Sequence, residues 1–209
     1  GNTVMNTNGV TIGSGSTAVS LTSTCLNNGG NKITNVAAGT ADTDAVNKGQ
    51  MTNAIDESMK YFKANSMGTE AFVAGSDAVA VGSGAVSGGS EAVALGLNTA
   101  ADGDQSLALG VNAGTSSGTT GAIAVGNTAK ASQDGAVAIG QKSGANGKRS
   151  TVVGDSAQAV GDQALALGAD ASASGTNGTA LGTSASTAGS SATAVGSHAS
   201  AAGGSAAAI

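Results

Sequence analysis

The chain has no proline, no tryptophan and only three aromatic residues, Tyr61, Phe62 and Phe72, among its 209 residues. A globular core of this length normally contains many more large side chains, so the composition argues against an ordinary globular domain. What the sequence has instead is 35 glycines, together with many alanines, serines and threonines. Such small residues suit a thin structure in which neighbouring backbones approach closely.

Positive charge is also scarce, because the formal net charge is −5 and the sequence pI is about 4.5. The only adjacent basic pair is Lys148-Arg149, so we do not expect nucleic acid as a partner. The glycines follow predicted strands with no helix after them, which excludes a phosphate-binding loop. No run of the sequence approaches the roughly 18 apolar residues of a membrane span.

Histidine and cysteine occur once each, as His198 and Cys25. A hydrolytic triad or a metal site needs converging partners, and no acidic residue follows Asp170. We therefore expect a surface histidine, no enzyme activity, no metal and no cofactor. Cys25 has no second cysteine in the chain, and a buried, inert thiol is favoured there over a link between chains.

One pattern recurs through the last two-thirds of the chain: small or apolar residues, then an aliphatic residue, then glycine. Nine copies occur, from AVAVG at 78–82 to ATAVG at 192–196, and a tenth, AAAI at 206–209, stops before its glycine. Successive glycines are fourteen residues apart, with a single step of sixteen. This fixed short period predicts a stacked parallel β-solenoid with one coil per repeat, and its constant register argues against a disordered chain.

Two short strands are predicted in each coil, because in two stretches of the repeat one type of residue recurs at every second position. One has small residues at the third and fifth positions after the closing glycine, and the other has aliphatic residues at the eleventh and thirteenth. Glycine recurs at the seventh position, and we predict that the glycines near the strand ends supply positive-φ turns. A two-residue insertion within 111–121 is predicted to bulge at a turn, and a tolerated insertion is favoured there over a binding loop.

Small residues also occupy the twelfth position, between the two aliphatic ones. Because a fourteen-residue coil encloses few side chains, we expect this column to be an exposed apolar stripe at which identical chains associate. The alanines predicted to make this contact are Ala80, Ala94, Ala108, Ala138 and Ala166. The pattern therefore predicts a symmetric homo-oligomer, without fixing the number of chains.

Acidic residues and threonines are expected to be scattered among the columns of the repeat. The aspartates are Asp77, Asp102, Asp104, Asp134, Asp155, Asp162 and Asp170. If they occupy different columns, they cannot form the repeated ladder of calcium-binding solenoids. Scattered threonines likewise do not form a regular ice-binding face.

Ahead of the repeats, residues 31–51 read NKITNVAAGTADTDAVNKGQM and lead into a predicted helix. Candidate N-caps are Asp42, Thr43 and Asp44. An apolar seam then extends over about 20 residues. Its members are Val46, Met51, Ile55, Met59 and Phe62. Since this stripe is too weak for an independent helix, we predict a short parallel coiled coil between chains.

The segment ITNVAAGTADTDAVNKGQM resembles the neck motif of the trimeric autotransporter adhesins, and the fourteen-residue repeats resemble the head of the YadA-like members. The resemblance extends over nearly everything from 31 to 209. It implies a mainly β homotrimer whose heads are left-handed parallel β-rolls packed round the threefold axis. A neck and a short coiled-coil helix would precede each head.

Four segments are expected along the chain. A short β element would occupy 1–30, the neck 31–51, a coiled-coil stalk 52–67 and the head 68–209, truncated at its C-terminal end. In this family a head is normally followed by another neck and by a membrane anchor, neither of which occurs in this sequence. The resemblance therefore implies a passenger fragment exposed outside a Gram-negative cell, in contact with the outer membrane only through the absent anchor.

The function implied by the resemblance is attachment by multivalent display. Expected targets are host extracellular matrix proteins, such as collagen, fibronectin or laminin, or host cell surfaces. A basic strip on neighbouring rungs, formed by Lys130, Lys142, Lys148 and Arg149, is expected to make the ligand contacts. Two alternatives stay open: a structural spacer within the adhesin fibre, and an ice- or mineral-binding β-solenoid. An enzyme such as a polysaccharide lyase lacks a visible catalytic cluster.

Overall fold

The computed structural model describes residues 3–14, 18–58 and 68–209 of the chain. These residues fall into two compact units, Gly1–Lys63 and Ala64–Ile209. The first unit contains a small antiparallel sheet and a helix, and the second contains a long parallel β-solenoid.

The N-terminal sheet is an antiparallel meander whose four strands lie side by side in chain order. The strands are β1 (Thr3–Asn6), β2 (Gly9–Ile12), β3 (Val19–Leu21) and β4 (Leu26–Asn27). A two-residue loop joins β1 to β2, and the Asn8 amide donates a hydrogen bond of 2.8 Å to Oδ1 of Asn6. Gly9 then has a φ of 123°, which other residues rarely adopt. Local turn chemistry therefore fixes this hairpin and its register.

One helix follows among the described residues of this unit, α1 (Lys48–Ser58). Its N-terminus is closed by a capping box, in which the Gln50 amide donates to Oδ1 of Asn47 at 2.9 Å and the Asn47 amide donates to Oε1 of Gln50 at 3.3 Å. Asn47 is thus the N-cap, and the prediction of Asp42, Thr43 or Asp44 is wrong. The reason is that residues 41–44 form a separate turn, closed by a hydrogen bond from the Asp44 amide to the Ala41 carbonyl.

The apolar seam predicted for this helix is only partly within it. Val46 precedes α1, whereas Met51 and Ile55 lie one turn apart inside it. Met59 and Phe62 lie outside the described residues.

Residues 68–209 contain two parallel ten-stranded sheets, and successive strands alternate between them. The long-strand sheet contains β6 (Val79–Val81), β8 (Val93–Leu95), β10 (Leu107–Leu109), β12 (Ile123–Val125), β14 (Val137–Ile139), β16 (Thr151–Val153), β18 (Leu165–Leu167), β20 (Thr179–Leu181), β22 (Thr193–Val195) and β24 (Ala207–Ala208). The short-strand sheet contains β5 (Phe72–Val73), β7 (Val86–Ser87), β9 (Ala100–Ala101), β11 (Gly114–Thr115), β13 (Lys130–Ala131), β15 (Gly144–Ala145), β17 (Gln158–Ala159), β19 (Ser172–Ala173), β21 (Ser186–Thr187) and β23 (Ser200–Ala201).

Every strand of the solenoid pairs in parallel with its equivalent one coil later. Val93 pairs with Leu107 in the long-strand sheet, and Ala100 pairs with Gly114 in the short-strand sheet. The predicted parallel β-solenoid with one coil per repeat is therefore confirmed.

The interior of the solenoid is filled mainly by alanine, together with several serine and threonine residues and Val152. In β8, Ala94 has no exposed surface, whereas the next residue, Leu95, is 41% exposed. The largest fully buried side chain is Val152. A coil of fourteen residues leaves little room between its two sheets, so most interior side chains are small, and the aliphatic residues at the eleventh and thirteenth positions point outward.

The expectation that the alanine column is an exposed contact between chains is wrong. Ala94, Ala108, Ala138 and Ala166 are fully buried within a single chain, and Ala80 is partly buried. The predicted alternation falls on the correct residues, but the alanines point into the solenoid and the aliphatic residues point outward.

Glycine recurs at two places in most coils, and the two places differ in their backbone angles. The closing glycines have positive φ, from 120° at Gly196 to 150° at Gly154, as predicted. The glycines at the seventh position have no positive φ, so the same prediction is wrong for them. There a Cβ atom would lie closer than 3.0 Å to the backbone of the next coil, as at Gly147 against Gly161. Close stacking of the coils is therefore what excludes a side chain at the seventh position.

The sixteen-residue step does not disturb either sheet. β10 pairs with β12 and β11 pairs with β13 in unbroken register. The two extra residues lie after Thr115 and before Thr120, which forms an isolated bridge with Asp104. The predicted placement of the insertion at a turn is therefore confirmed.

Candidate functional site on the solenoid and the neck

The outer side of the long-strand sheet carries two parallel columns of branched side chains, which we call the aliphatic face. Its members are Val79, Val81, Val93, Leu95, Leu107, Leu109, Ile123, Val125, Val137, Ile139, Val153, Leu165, Leu167, Leu181 and Val195. Each of them keeps exposed surface in the single chain. Rungs about 4.8 Å apart stack these side chains in columns, one of which has Thr151, Thr179 and Thr193 in place of aliphatic residues. A long and largely apolar surface of this kind marks a site of association.

The four basic residues predicted to contact a ligand are all exposed, and they lie in one strand of the short-strand sheet and in the turns before and after the next strand. Lys130 begins β13, on the outer side of this sheet. Lys142 lies in the turn that precedes β15, and Lys148 and Arg149 lie in the turn that follows it. Among the described residues of the solenoid no carboxylate forms an ion pair with them, so their charges are available to a partner.

These four residues are also the only basic side chains between positions 68 and 209, where nine acidic residues occur. The positive charge of the solenoid is thus restricted to two successive coils of an otherwise acidic surface. We call this group the basic strip.

Three aspartates share one column of the turn that contains Lys148. Asp104, Asp134 and Asp162 occupy the eighth position of alternate coils, and each accepts a hydrogen bond from the backbone amide of the preceding coil. At Asp162 the donor is the Lys148 amide, at 2.9 Å. The expectation that every aspartate has a different column is therefore wrong for these three, whose role is to join consecutive turns.

The polar residues of the neck motif bind the backbone around the start of α1. The Gln50 side chain donates to the Gly39 carbonyl at 2.8 Å and accepts from the Gly39 amide at 2.9 Å. The Asn47 side chain donates to the Val36 carbonyl at 3.2 Å. These bonds join an extended segment to the helix, which explains why the motif needs an amide side chain at both positions.

Asp44 fixes the turn that precedes the capping box. Hydrogen bonds from the backbone amides of Ala41 and Thr40 stabilise its carboxylate and hold the pKa of Asp44 below its ordinary value of 3.8. The residue predicted as a helix cap is therefore a turn cap.

Apolar side chains of the neck are left uncovered within the single chain. Val46, Met51 and Ile55 are all exposed, and α1 has no buried residue. A groove of about 510 Å³ lies beside them, lined in part by Ile33, Val36 and Val46. An isolated helix of this length is marginal in water, so this surface needs a partner.

The single histidine and the single cysteine are both exposed. His198 is exposed in a turn, and its Nδ1 atom lies 2.8 Å from Oγ of Ser197. Cys25 is exposed in the turn before β4, so the expectation of a buried thiol is wrong in the single chain. In the part of the chain that the structure describes, no three His, Cys, Asp or Glu residues come together as a metal site. No helix of that part is long and apolar enough to cross a membrane.

Comparison with protein families identifies both units. The model of the coiled stalk of trimeric autotransporter adhesins matches residues 32–71. The YadA head domain repeat matches 87–113, 120–143, 145–171 and 173–199, about half of the chain. The chain belongs to the YadA-like trimeric autotransporter adhesins. A search of curated proteins finds no match.

The two family matches correspond closely to the geometry. The stalk match includes the capping box and α1, and the head matches follow the stacked coils. The interval at 114–119, between two head matches, contains the insertion after Thr115. In this adhesin, sequence reasoning missed the aspartate column, although counting positions from each closing glycine would have found it.

Proposed function

We propose that this chain forms the head and neck of a non-enzymatic surface adhesin, in which three copies associate along the aliphatic face and display their outer turns to a host. The observation that carries the proposal is the aliphatic face, a long and largely apolar surface on a solenoid whose own interior is mostly alanine, serine and threonine. We also propose the left-handed coil that the family resemblance implies.

Association stabilises the solenoid because its own interior contributes little. An alanine buries far less apolar surface than a branched side chain, for which complete burial contributes roughly 1.5 to 3 kcal/mol. Most coils present two such side chains on the aliphatic face, as β8 does with Val93 and Leu95. Three chains round one axis would remove these residues from water on every rung.

The neck associates in the same assembly. Val46, Met51 and Ile55 have no partner within the chain that buries them, and three parallel copies of α1 would cover them in a short coiled coil. The four segments expected from the sequence, 1–30, 31–51, 52–67 and 68–209, are retained as the organisation of this assembly.

Attachment uses the basic strip, in three copies. Exposed Lys130, Lys142, Lys148 and Arg149 offer the only positive charges of the solenoid, so an acidic region of a matrix protein or cell surface would bind there. The targets are collagen, fibronectin, laminin or host cell surfaces. The adhesin would bind them outside a Gram-negative cell, at the surface of its outer membrane. Threefold display raises the avidity of a site that is weak in one copy.

Binding to immobilised matrix proteins tests the basic strip. Changing Lys130, Lys142, Lys148 and Arg149 to serine is expected to lower binding at least about tenfold, because three sites are lost from each trimer at once. The matched control changes the four other basic residues, Lys32, Lys48, Lys60 and Lys63, to serine, with the same change in net charge.

The outcomes of this experiment separate the proposed roles. Equal losses in the two variants would point to net charge and not to the strip. Unchanged binding by the solenoid variant would remove the strip from the site. A wild-type trimer that binds none of the matrix proteins or cells would favour the structural spacer.

A further inference from the structure

Four asparagines of this chain are followed directly by glycine, and an asparagine before glycine is the most prone to lose its side-chain amide. The four pairs are Asn8-Gly9, Asn28-Gly29, Asn146-Gly147 and Asn177-Gly178. Glycine has no side chain to shield its backbone nitrogen, so that nitrogen can reach the side-chain carbonyl of the asparagine before it. The reaction needs local movement of the backbone, so the fold decides which pairs can react.

The two pairs in the solenoid are held by stacked turns. The Asn146 side chain accepts a hydrogen bond from Oγ of Ser132, one coil earlier, at 3.2 Å. The glycine after it, Gly147, is buried. Gly178 is buried as well, and its amide donates to the Gly175 carbonyl at 2.9 Å. Neither glycine nitrogen can therefore approach its asparagine without local unfolding of a turn that is packed between two others.

The third pair, Asn28-Gly29, is fixed by hydrogen bonds within its own turn. The Asn28 side chain donates to the Asn31 carbonyl. Gly29 is buried, and its amide donates to Oδ1 of Asn27 at 2.9 Å. Both the amide that would leave and the nitrogen that would attack are engaged, so the reaction would first have to break two hydrogen bonds.

Asn8-Gly9 is held less firmly than the other three pairs. Asn8 is exposed in the loop between β1 and β2, and its side chain makes no hydrogen bond with any described residue. Its backbone amide alone is engaged, by Oδ1 of Asn6. Gly9 is only partly buried and forms the pair with Asn6 at the end of the ladder. The strands of this sheet are two to four residues long, so the hairpin opens more easily than a turn packed between coils.

We propose that Asn8 is a site of spontaneous deamidation and the fastest of the four. The Gly9 nitrogen bonds to the side-chain carbonyl carbon of Asn8, the bond from that carbon to Nδ2 breaks, and ammonia leaves with the proton of the Gly9 amide. Water then opens the resulting succinimide ring. Addition of water at the side-chain carbonyl gives aspartate, and addition at the backbone carbonyl gives isoaspartate. Water is the only co-reactant.

Both products change the hairpin. Residues 1–31 contain no charged side chain, so either product places the first negative charge in this segment. Isoaspartate also carries the chain through its Cβ atom, which lengthens the backbone by one atom inside a two-residue loop. Because loop length sets the register of a hairpin, isoaspartate is expected to disturb the pairing of β1 with β2, whereas aspartate is not.

Incubation in heavy-oxygen water tests the site in the whole folded chain. The protein is kept in mildly alkaline heavy-oxygen water and then digested with trypsin in ordinary water, so that only deamidation during the incubation carries the label. Electron-transfer fragmentation of the peptides locates the label and separates isoaspartate from aspartate. Asn8 is expected to gain label at least about tenfold faster than Asn28, Asn146 and Asn177. In denaturant the four are expected to react at similar rates, which is the control for local sequence.

The outcomes bear on the site and on its effect separately. No label at Asn8, or equal rates at all four asparagines in the folded chain, overturns the inference. An equal lead of Asn8 in denaturant would overturn the role of the fold. Hydrogen exchange of the β1 and β2 amides reads the effect on the hairpin. Asn8→Asp carries the charge without the longer backbone and is expected to keep wild-type protection, whereas an aged sample rich in isoaspartate is expected to lose it. Equal protection in the two would overturn the predicted change of pairing.

Discussion

Glycine restricts the coil at two positions, because a side chain at either would meet the backbone of the next coil, and at one of them the backbone also has a positive φ. The closing glycine adopts a φ that branched or long residues cannot adopt without strain. The glycine at the seventh position leaves space for the backbone of the next coil. Not every glycine of the coils has such a role. At Gly114, in β11, a Cβ atom would make an ordinary contact of 3.7 Å with the Ala100 carbonyl oxygen.

Replacement of a closing glycine should therefore destabilise the solenoid much more than replacement of Gly114. Gly140 has a φ of 132°, and a Cβ there would meet the Gly154 carbonyl oxygen. Gly140→Ala is expected to cost about 1 to 3 kcal/mol per chain, whereas Gly114→Ala should be close to neutral. Thermal melting followed by circular dichroism at one fixed protomer concentration measures the difference. Equal melting temperatures would contradict the assigned role of the closing glycine.

The hydrogen bonds that join consecutive turns can also be tested by changing single residues. Asp162→Ala removes the acceptor for the Lys148 amide and is expected to cost about 1 kcal/mol. Hydrogen exchange should show faster exchange at that amide alone in the turn. Asp102→Ala removes the same charge from a carboxylate in a different column, and so serves as the control. Unchanged exchange at Lys148 in the Asp162 variant would show that the bond does not contribute.

At the scale of elements, the neck of a single chain is held together by hydrogen bonds of polar side chains more than by apolar packing. Asn47 and Gln50 cap the helix and also bind Val36 and Gly39, so a few amide groups join the extended segment to α1. Asp44 adds two further bonds, because its carboxylate accepts from the backbone amides of Thr40 and Ala41. The neck is therefore the part of the molecule in which a single polar substitution should have the largest structural effect.

Acid should loosen the turn that Asp44 caps. Because its pKa is lower when folded than when unfolded, this contribution to stability is fully present above the ordinary value of 3.8. It is lost as the pH falls through the lower folded value. Amide signals of Thr40 and Ala41, followed by NMR from about pH 6 to about pH 2, should titrate together below that ordinary value. Asp44→Asn should abolish this titration, and its persistence in that variant would assign it to another group.

The capping role of Gln50 can be tested by substitution, without a change of pH. Gln50→Ala removes both bonds to Gly39 and half of the capping box, and is expected to lower the helix content of the neck. Gln50→Glu keeps the acceptor and loses only the donor, so its loss should be smaller. Circular dichroism compares the two. Equal helix content in Gln50→Ala and wild type would contradict the capping role.

The elements that repeat were predictable from the sequence, and those defined by volume or by local hydrogen bonds were not. The fourteen-residue period indicates the solenoid because each coil must pair with the next in register. Period-two alternation does not say which apolar face is inside, and only the small volume of the coil excludes Leu95 in favour of Ala94. The start of α1 was missed because Asp44 and Asn47 are both good caps, and the bonds of Gln50 decide between them.

At the scale of the whole molecule, the solenoid combines an interior of small side chains, mostly alanine, with a branched outer face. Such a chain keeps its larger apolar side chains for contacts outside itself. Stability and oligomeric state are therefore coupled, and a charge on the aliphatic face should affect both.

Charges placed on the aliphatic face should lower stability or association, whereas charges on the outer side of the short-strand sheet should not. Leu109→Asp combined with Leu167→Asp puts acidic groups on the aliphatic face and is expected to lower the molar mass or the melting temperature markedly. Ser172→Asp combined with Ser200→Asp places the same charge on the outer side of the short-strand sheet, on two strands that do not pair directly. That control should melt like wild type, and a similar loss in both variants would contradict the assignment of the interface.

The central claim is that three copies of this chain associate through surfaces left uncovered in each. Absolute molar mass by light scattering after gel filtration tests it most directly, because the value does not depend on molecular shape. A mass near three times 19.2 kDa is the predicted result. A folded, stable monomer of 19.2 kDa would contradict the claim, because the aliphatic face would then be stable in water without a partner.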